Sequence, residues 1–165
     1  MIRHDSMRGW FAAALHDEMA KNNRVWCLTG DLGFGMLDAI RDDFPTRFCN
    51  CGASEQAMVG AAVGLALQGC KPFVYSITPF LLYRPFEWLR NYVHHDRTAV
   101  RLVGSGLDDD YLRDGFTHHA HDAKDVLALL PNIVAHFPST KEQVPGIVGK
   151  MVSSDVPAFL CLRRY

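Results

Sequence analysis

The sequence predicts an α/β protein of three layers, in which a mostly parallel six-stranded sheet is covered by helices on both faces. Two observations carry this. Short apolar runs alternate regularly with segments whose apolar residues recur at helical spacing, which is the pattern of successive βαβ units. No linker, internal repeat or low-complexity tract interrupts the alternation over 165 residues, so one core and one domain spanning 1–165 are expected.

The elements follow in order. Asp5 or Ser6 can cap a first helix, because Met7, Trp10, Phe11, Ala14, Leu15 and Met19 recur at helical spacing. Asn22-Asn23 closes it, and Val25 to Leu28 forms a buried strand ending in Thr29-Gly30-Asp31. A short helix near Met36 to Asp43 and a strand near Arg47 to Cys51 come next. The small-residue segment Glu55 to Leu67 is a helix, Pro72 to Ile77 a strand, and Phe80 to Val93 a further helix. Val100 to Val103 is a strand that opens into a loop rich in Gly and Asp. A helix around Lys124 to Leu130 and a strand at Ile133 to His136 lie beyond it. Ser139 and Glu142 stand at capping-box spacing before a helix ending near Val152, and Ala158 to Leu162 is the last strand. Functional loops are expected at the carboxyl ends of the strands.

Composition excludes several classes. With 48% apolar and 21% charged residues and a formal net charge of -1, the chain offers no electrostatic footprint for nucleic acid or an anionic membrane. No apolar run approaches the roughly 20 residues that span a bilayer, and Met1 to Asp5 is too polar to open a signal peptide. A cytoplasmic location is the expectation. The five cysteines include no CxxC pair, which argues against a disulfide framework or a zinc knuckle. Cys49 and Cys51 would splay their sulfurs if they lie on a strand, so no metal site is expected there.

Three segments carry chemistry. In Gly52-Ala53-Ser54-Glu55-Gln56, followed by a helix apolar on all sides, Glu55 is either a proton partner beside apolar surface or a first-turn acid stabilising the helix dipole. The helix must be closely approached by neighbours, in the core or at a subunit interface. In Lys71 to Phe86, the rings of Phe80, Tyr83 and Phe86 recur every third residue straight after a strand. They either wall a slot for a flat heterocycle or belong to the core. In Gly104 to Asp122, acids and histidines crowd a glycine-bearing loop. A metal site and a substrate-contacting loop are both open there, because imidazole exchanges protons near neutrality and also ligates metals.

Together and in this order the Gly-x-x-Glu-Gln, Lys-Pro-Phe…Pro-Phe-Leu and Asp-Gly-x-Thr-His motifs resemble the pyrimidine-binding (Pyr) domain of transketolases and deoxyxylulose phosphate synthases. The resemblance runs from about Trp26 to Arg164. It implies the thiamine diphosphate-binding fold of the Pyr type, with thiamine diphosphate and Mg²⁺ as cofactors. Glu55 then matches the glutamate that hydrogen-bonds the aminopyrimidine ring and relays protons through it. Phe80, Tyr83 and Phe86 match the aromatic cluster around that ring, and Asp31 matches an aspartate near the cofactor and the dimer seam. Asp114 and His118 match residues that contact the donor's hydroxyls, His118 near the reacting carbons. Arg164 resembles an arginine that grips a substrate phosphate. There are departures: Gly35 stands where many transketolases have a phosphate-contacting serine, Phe116 replaces a common proline, and a histidine before Asp114 is missing. The acidic run Asp108 to Asp110 would repel a neighbouring phosphate, so a donor with a different or absent anionic group is expected.

The family's Gly-Asp-Gly motif, which holds the diphosphate and its Mg²⁺, is not in this sequence, nor is a third, carboxy-terminal domain. The resemblance therefore implies a split enzyme. Two copies of this chain would pair with two of a diphosphate-binding, transketolase-like subunit to transfer a two-carbon ketol unit from a ketose-like donor to an aldehyde. The competing readings are a subunit of a 2-oxo acid decarboxylase or carboligase, a non-catalytic assembly subunit, and a metallohydrolase built on His118, His119 and His121.

Overall fold

The computed structural model describes residues 5–164. Of Met1 to Asp5, which bore on a signal peptide, all but Asp5 lie outside the described residues. Among those described, six strands form one parallel sheet in the order β2-β1-β3-β4-β6-β5. The strands are β1 (Val25–Thr29), β2 (Phe48–Asn50), β3 (Lys71–Ile77), β4 (Arg101–Ser105), β5 (Val134–His136) and β6 (Ala158–Leu162). The helices are α1 (Met7–Lys21), α2 (Asp38–Asp43), α3 (Glu55–Leu67), α4 (Thr78–Tyr83), α5 (Phe86–Trp88), α6 (Ala123–Ala128) and α7 (Val144–Ser153). This is the expected α/β architecture with flanking helices. No helix among the described residues is long and apolar enough to cross a membrane.

The two layers of core follow from the two-residue period of the strands. Cys27, Phe73, Tyr75, Val103, Leu160 and Leu162 point to one face, where α1, α2 and α7 cover them with Phe11, Leu15, Ile40, Val148 and Met151. Their neighbours Leu28, Val74, Leu102, Phe159 and Cys161 point to the other, beneath Met58, Val63, Leu81 and Leu127 of α3, α4 and α6. Central strands buried on both sides read as mostly apolar runs, as is usual in parallel sheets, with polar residues such as Arg101 and Ser76 at their ends.

Two local expectations are corrected. The helix expected over Phe80 to Val93 is broken: α4 ends at Tyr83, α5 restarts at Phe86, and a π-helical stretch covers Leu89–His95. Pro85, between the two, has no N–H to continue the ladder and imposes the break. The capping box lies one residue later than the Ser139/Glu142 spacing suggests, on Thr140 and Gln143, ahead of a short 3₁₀ turn at Lys141–Gln143. Helix α3 is covered on one side within this chain, and the expected alternative of a subunit interface stays open for the other. Met58, Val59, Ala62 and Val63 are buried, while Ala57, Ala61 and Gly64 face outward and Leu67 is exposed. Ser6, in contrast, caps α1 as expected, with its hydroxyl accepting from the Gly9 N–H at 3.1 Å.

Arg101 is a charged residue in a central strand, 1% exposed. It is tolerated because its guanidinium donates to the carbonyls of Met151 at 2.9 Å, Ser154 at 2.6 Å and Ala99. It thereby ties the start of β4 to the end of α7. Burial pulls its pKa down to about 10, with Asp155 opposing the shift, so it stays charged at neutral pH. Arg101→Met keeps most of the volume but strands three carbonyl acceptors. We expect a loss of about 3 kcal/mol in urea unfolding, with little change in the far-ultraviolet spectrum of the folded protein.

Candidate functional site

Because all the strands are parallel, their carboxyl ends share one edge of the sheet, and the loops after β1, β2, β3, β4 and β6 gather there. The order reverses between β1 and β3, which opens the crevice where ligands of such sheets bind. Glu55 begins α3 at this edge and is 1% exposed. A buried carboxylate needs partners. Ser76 Oγ, from β3, donates to Oε1 at 2.8 Å, and Arg84 Nη1 donates to Oε2 at 2.7 Å. Gly30, at the end of β1, lies so close that a Cβ there would stand 3.2 Å from Glu55 Oε1.

Arg84 links Glu55 to an open cleft. Its guanidinium stacks 3.8 Å from the centroid of Phe80, a cation–π contact between residues four apart at the end of α4. Phe80, Tyr83, Arg84, Phe116, His119 and Asp122 are among the walls of a mostly apolar cleft of about 610 Å³. Partial desolvation, and then a hydrogen bond to the Asp122 carboxylate, raise the Tyr83 phenol above its ordinary pKa. The cleft depends on a close approach. Gly104 of β4 lies so near α4 that a Cβ would fall 2.5 Å from Thr78 Oγ1 and 2.8 Å from the Phe159 ring, so any larger residue would collide with the first turn of α4 and with β6.

The other expected residues are dispersed around this centre. His118 packs edge-on against Phe80, with centroids 4.8 Å apart, and its Nδ1 lies 3.1 Å from Thr117 Oγ1. Phe86 does not join Phe80 and Tyr83. The break at Pro85 turns it toward the α3 side of the core, where it lines a different hollow with Arg90, His94 and Leu130. The expectation of three rings on one face is thus corrected to two. Asp31 adopts a left-handed backbone (φ 58°). Its N–H and side chain pair with the Asn50 amide at 3.0 and 3.1 Å, fastening the ends of β1 and β2 together beside the approach to Glu55.

Asp114 and Arg164 pair with each other at 3.4 Å and line a separate hollow with Asp109, Asp110, Leu112 and Arg113, with the Arg164 guanidinium 4.6 Å from the Tyr111 ring centroid. The expected repulsion by the acidic run is largely compensated. Arg163 pairs with Asp108 at 3.0 Å and Asp110 at 3.1 Å, Asp110 also accepts the Leu107 and Arg164 N–H groups, and His121 pairs with Asp109. The acids therefore argue less strongly against an anionic donor than the sequence suggested.

Two further expectations change. The thiols of Cys49 and Cys51 are not splayed: their sulfurs lie 3.6 Å apart, because residues two apart in an extended segment share a face, and the expected splaying misapplied that period. Burial first, then the Cys49 contact, pushes Cys51 up to about 12. His118 does not converge with His119 and His121; Asp109 does, its potential ligand atom lying within 4.8 Å of theirs.

Sequence reasoning missed Ser76 and Arg84, and signals for both were present. Arg84 sits four residues after Phe80, the spacing at which a helical cation covers a ring. Ser76 is the polar residue in the otherwise apolar run Phe73 to Ile77, apart from the Tyr75 hydroxyl.

Comparisons with known proteins bear on the family and the fold. The family model described as "Transketolase, pyrimidine binding domain" matches residues 5–165. The chain is 32% identical over 120 residues to a subunit of the apulose-4-phosphate transketolase of Actinobacillus succinogenes, covering 73% of this chain and 39% of that protein. It is 31% identical over 157 residues to 1-deoxy-D-xylulose-5-phosphate synthase 1 of Geobacter metallireducens, covering 93% and 24%. A solved structure described as "Split gene transketolase, inactive beta4 tetramer" superposes with a TM-score of 0.85 at 26% identity, over 96% of this chain and 51% of that one. The chain thus spans about half or less of the length of these relatives.

Removing the cation should expose the cost of the buried carboxylate. Arg84→Met is expected to destabilise the fold by about 2 kcal/mol, below the range for fully buried pairs because Arg84 is itself nearly half exposed. In a double-mutant cycle the same change made on a Glu55→Gln background should cost at least about 1 kcal/mol less. Equal costs on both backgrounds would show that the pair carries no coupling.

Proposed function

This chain belongs to the transketolase pyrimidine-binding domain family, and from that premise we propose that it is the pyrimidine-binding subunit of a split, transketolase-like enzyme. In this reading it transfers a two-carbon ketol unit from a ketose-like donor to an aldehyde, and it works only with a diphosphate-binding partner chain. The family implies dependence on thiamine diphosphate. The observation that carries the proposal is the buried Glu55 carboxylate at the carboxyl edge of the sheet, one side chain behind an aromatic-walled cleft.

The residues present suit the cofactor's pyrimidine end. A carboxylate has about four lone-pair sites; Ser76 and Arg84 use two, which leaves capacity to accept from a protonated ring nitrogen. Phe80 and Tyr83 offer faces for a flat heterocycle. Thiamine diphosphate, when bound, supplies the carbanion chemistry that ketol transfer requires. Glu55 holds or moves a proton at its Oε atoms, in general acid/base catalysis. Ser76 and Arg84 orient that carboxylate, and since Arg84 stands between it and the cleft, a heterocycle reaching Glu55 has to move or join the guanidinium. To His118, edge-on against Phe80, this reading assigns the contact with donor hydroxyls. Asp114 and Arg164 form a more distant polar pair suited to the far end of the donor. The diphosphate and its Mg²⁺ fall to the partner.

The partner requirement draws support from two directions. Relatives include a protein named as one subunit of a transketolase, and a face of small residues on α3 ending in exposed Leu67 lies uncovered among the described residues. An assembly of two chains of each kind is the arrangement we favour. The deoxyxylulose phosphate synthase relative keeps a second reading in view, in which the donor is a 2-oxo acid such as pyruvate.

Reconstitution with a Gly-Asp-Gly-bearing partner tests this. The pair should turn over a ketose donor, while this chain alone is inactive. Glu55→Gln in the pair should lower kcat by at least about 10². Turnover by the chain alone sinks the split-enzyme reading, unchanged kcat in the variant points to an assembly subunit, and preference for pyruvate over every ketose moves the assignment to the second reading. A second variant, His118→Asn, should lose about 10-fold or more in kcat/KM for the donor while tight cofactor binding by the pair persists.

A further inference from the structure

We propose that Asp109, His119 and His121 form a binding site for one divalent transition-metal ion at the rim of the cleft. The ligand set is two imidazoles and one carboxylate. That chemistry suits zinc, cobalt or nickel rather than magnesium, which prefers oxygen ligands. The potential ligand atoms of the three residues all lie within 4.8 Å of one another, and His121 Nε2 already stands 2.8 Å from Asp109 Oδ1.

The backbone arranges this convergence. Asp108 and Ala120 form an isolated antiparallel bridge, with the Ala120 N–H donating to the Asp108 carbonyl at 3.0 Å. Ala120 is 2% exposed and points inward. In an extended segment alternate residues share a face, so burying Ala120 turns His119 and His121 outward together, while the bridge brings Asp109 beside them. The rings of His119 and His121 stand 5.9 Å apart at 88°, so they can approach one ion from two directions. Metal–ligand bonds of about 2.0–2.2 Å need ligand atoms roughly 3–3.5 Å apart. Closing from 4.8 Å takes only small side-chain rotations, which are cheap here because Asp109 and His121 side chains are each 57% exposed. His119 is not tied down: its Nε2 has only a 3.5 Å contact with the Leu112 carbonyl.

Three protein ligands leave coordination positions open. Both histidines also line the cleft walled by Phe80 and Tyr83, beside Asp122. The open positions therefore face the same space as the aromatic rings, where hydroxyl, carbonyl or carboxylate oxygens of a bound donor could complete the coordination. The bare alternative is a plain surface ion pair between His121 and Asp109, with His119 a bystander.

Binding can be measured without turnover, so the outcome is separable from that of the enzyme assignment. The tag-free chain is titrated with Zn²⁺ calorimetrically and with Co²⁺ by visible absorption. One equivalent should bind per chain, with Co²⁺ bands diagnostic of nitrogen and oxygen ligands and without thiolate charge transfer. His119→Gln, His121→Gln and Asp109→Asn should each weaken Zn²⁺ binding by at least about tenfold. His118→Gln and a Cys49→Ser/Cys51→Ser variant should leave it within about twofold, and unfolding curves verify that every variant is folded. The absence of saturable binding overturns the proposal. So does any pattern in which one of the three ligand changes has no effect, or in which the cysteine change abolishes binding.

Discussion

The buried Glu55 carboxylate is the interaction around which the rest of the site is organised. An ionised carboxylate taken out of water is costly unless hydrogen bonds and a cation replace its hydration. Meeting that requirement draws together the start of α3, the end of β3 and the end of α4 through Glu55, Ser76 and Arg84. Arg84 follows α4 with a helical backbone, four residues after Phe80, and that ring stacks against its guanidinium. The close approach of β4 at Gly104 seats that helix on the sheet. A constraint set by one acidic side chain thus fixes the wall of the cleft.

The loop after β4 is organised by charge compensation rather than by apolar burial. Asp108, Asp110 and Asp114 are held by Arg163 and Arg164, which follow the last strand, so the two segments at the end of the sheet are cross-linked electrostatically. Asp110 is the innermost of these, accepting two backbone N–H groups as well as the Arg163 guanidinium. What remains outside the network is the outward-facing strip with His119 and His121. Its imidazoles are arranged by a two-residue period and a single bridge, not by partners in the core.

Much of the architecture was legible because it rests on periodicity. The doubly apolar strands, the helical spacing of α1 and the small-residue run of α3 are local patterns, and the bounds of α3 and β6 coincide with those read from sequence. The break in the helix after β3 was signalled by Pro85, yet the spacing of Phe80, Tyr83 and Phe86 suggested continuity. The proline decided, since a missing N–H and a ring clash outweigh the packing of a single phenylalanine. The capping box moved by one residue because Ser139/Glu142 and Thr140/Gln143 share the same spacing, so the sequence pattern could not choose between them.

By itself the sequence determined the fold class, the order of the strands along the chain, the family, and which residue types could act, because these depend on neighbours within a few positions or on motifs in series. The tertiary structure decided who meets whom. It gave Glu55 its serine and arginine, set Phe86 apart from the other two rings, and assembled Asp109 with His119 and His121 instead of with His118. The contacts of Glu55 with Ser76 and Arg84, and of Asp109 with the two histidines, join different elements or loop segments, where the distance along the chain carries no information about the distance in space. Cys49 with Cys51 and His119 with His121 follow instead from the two-residue period of extended chain.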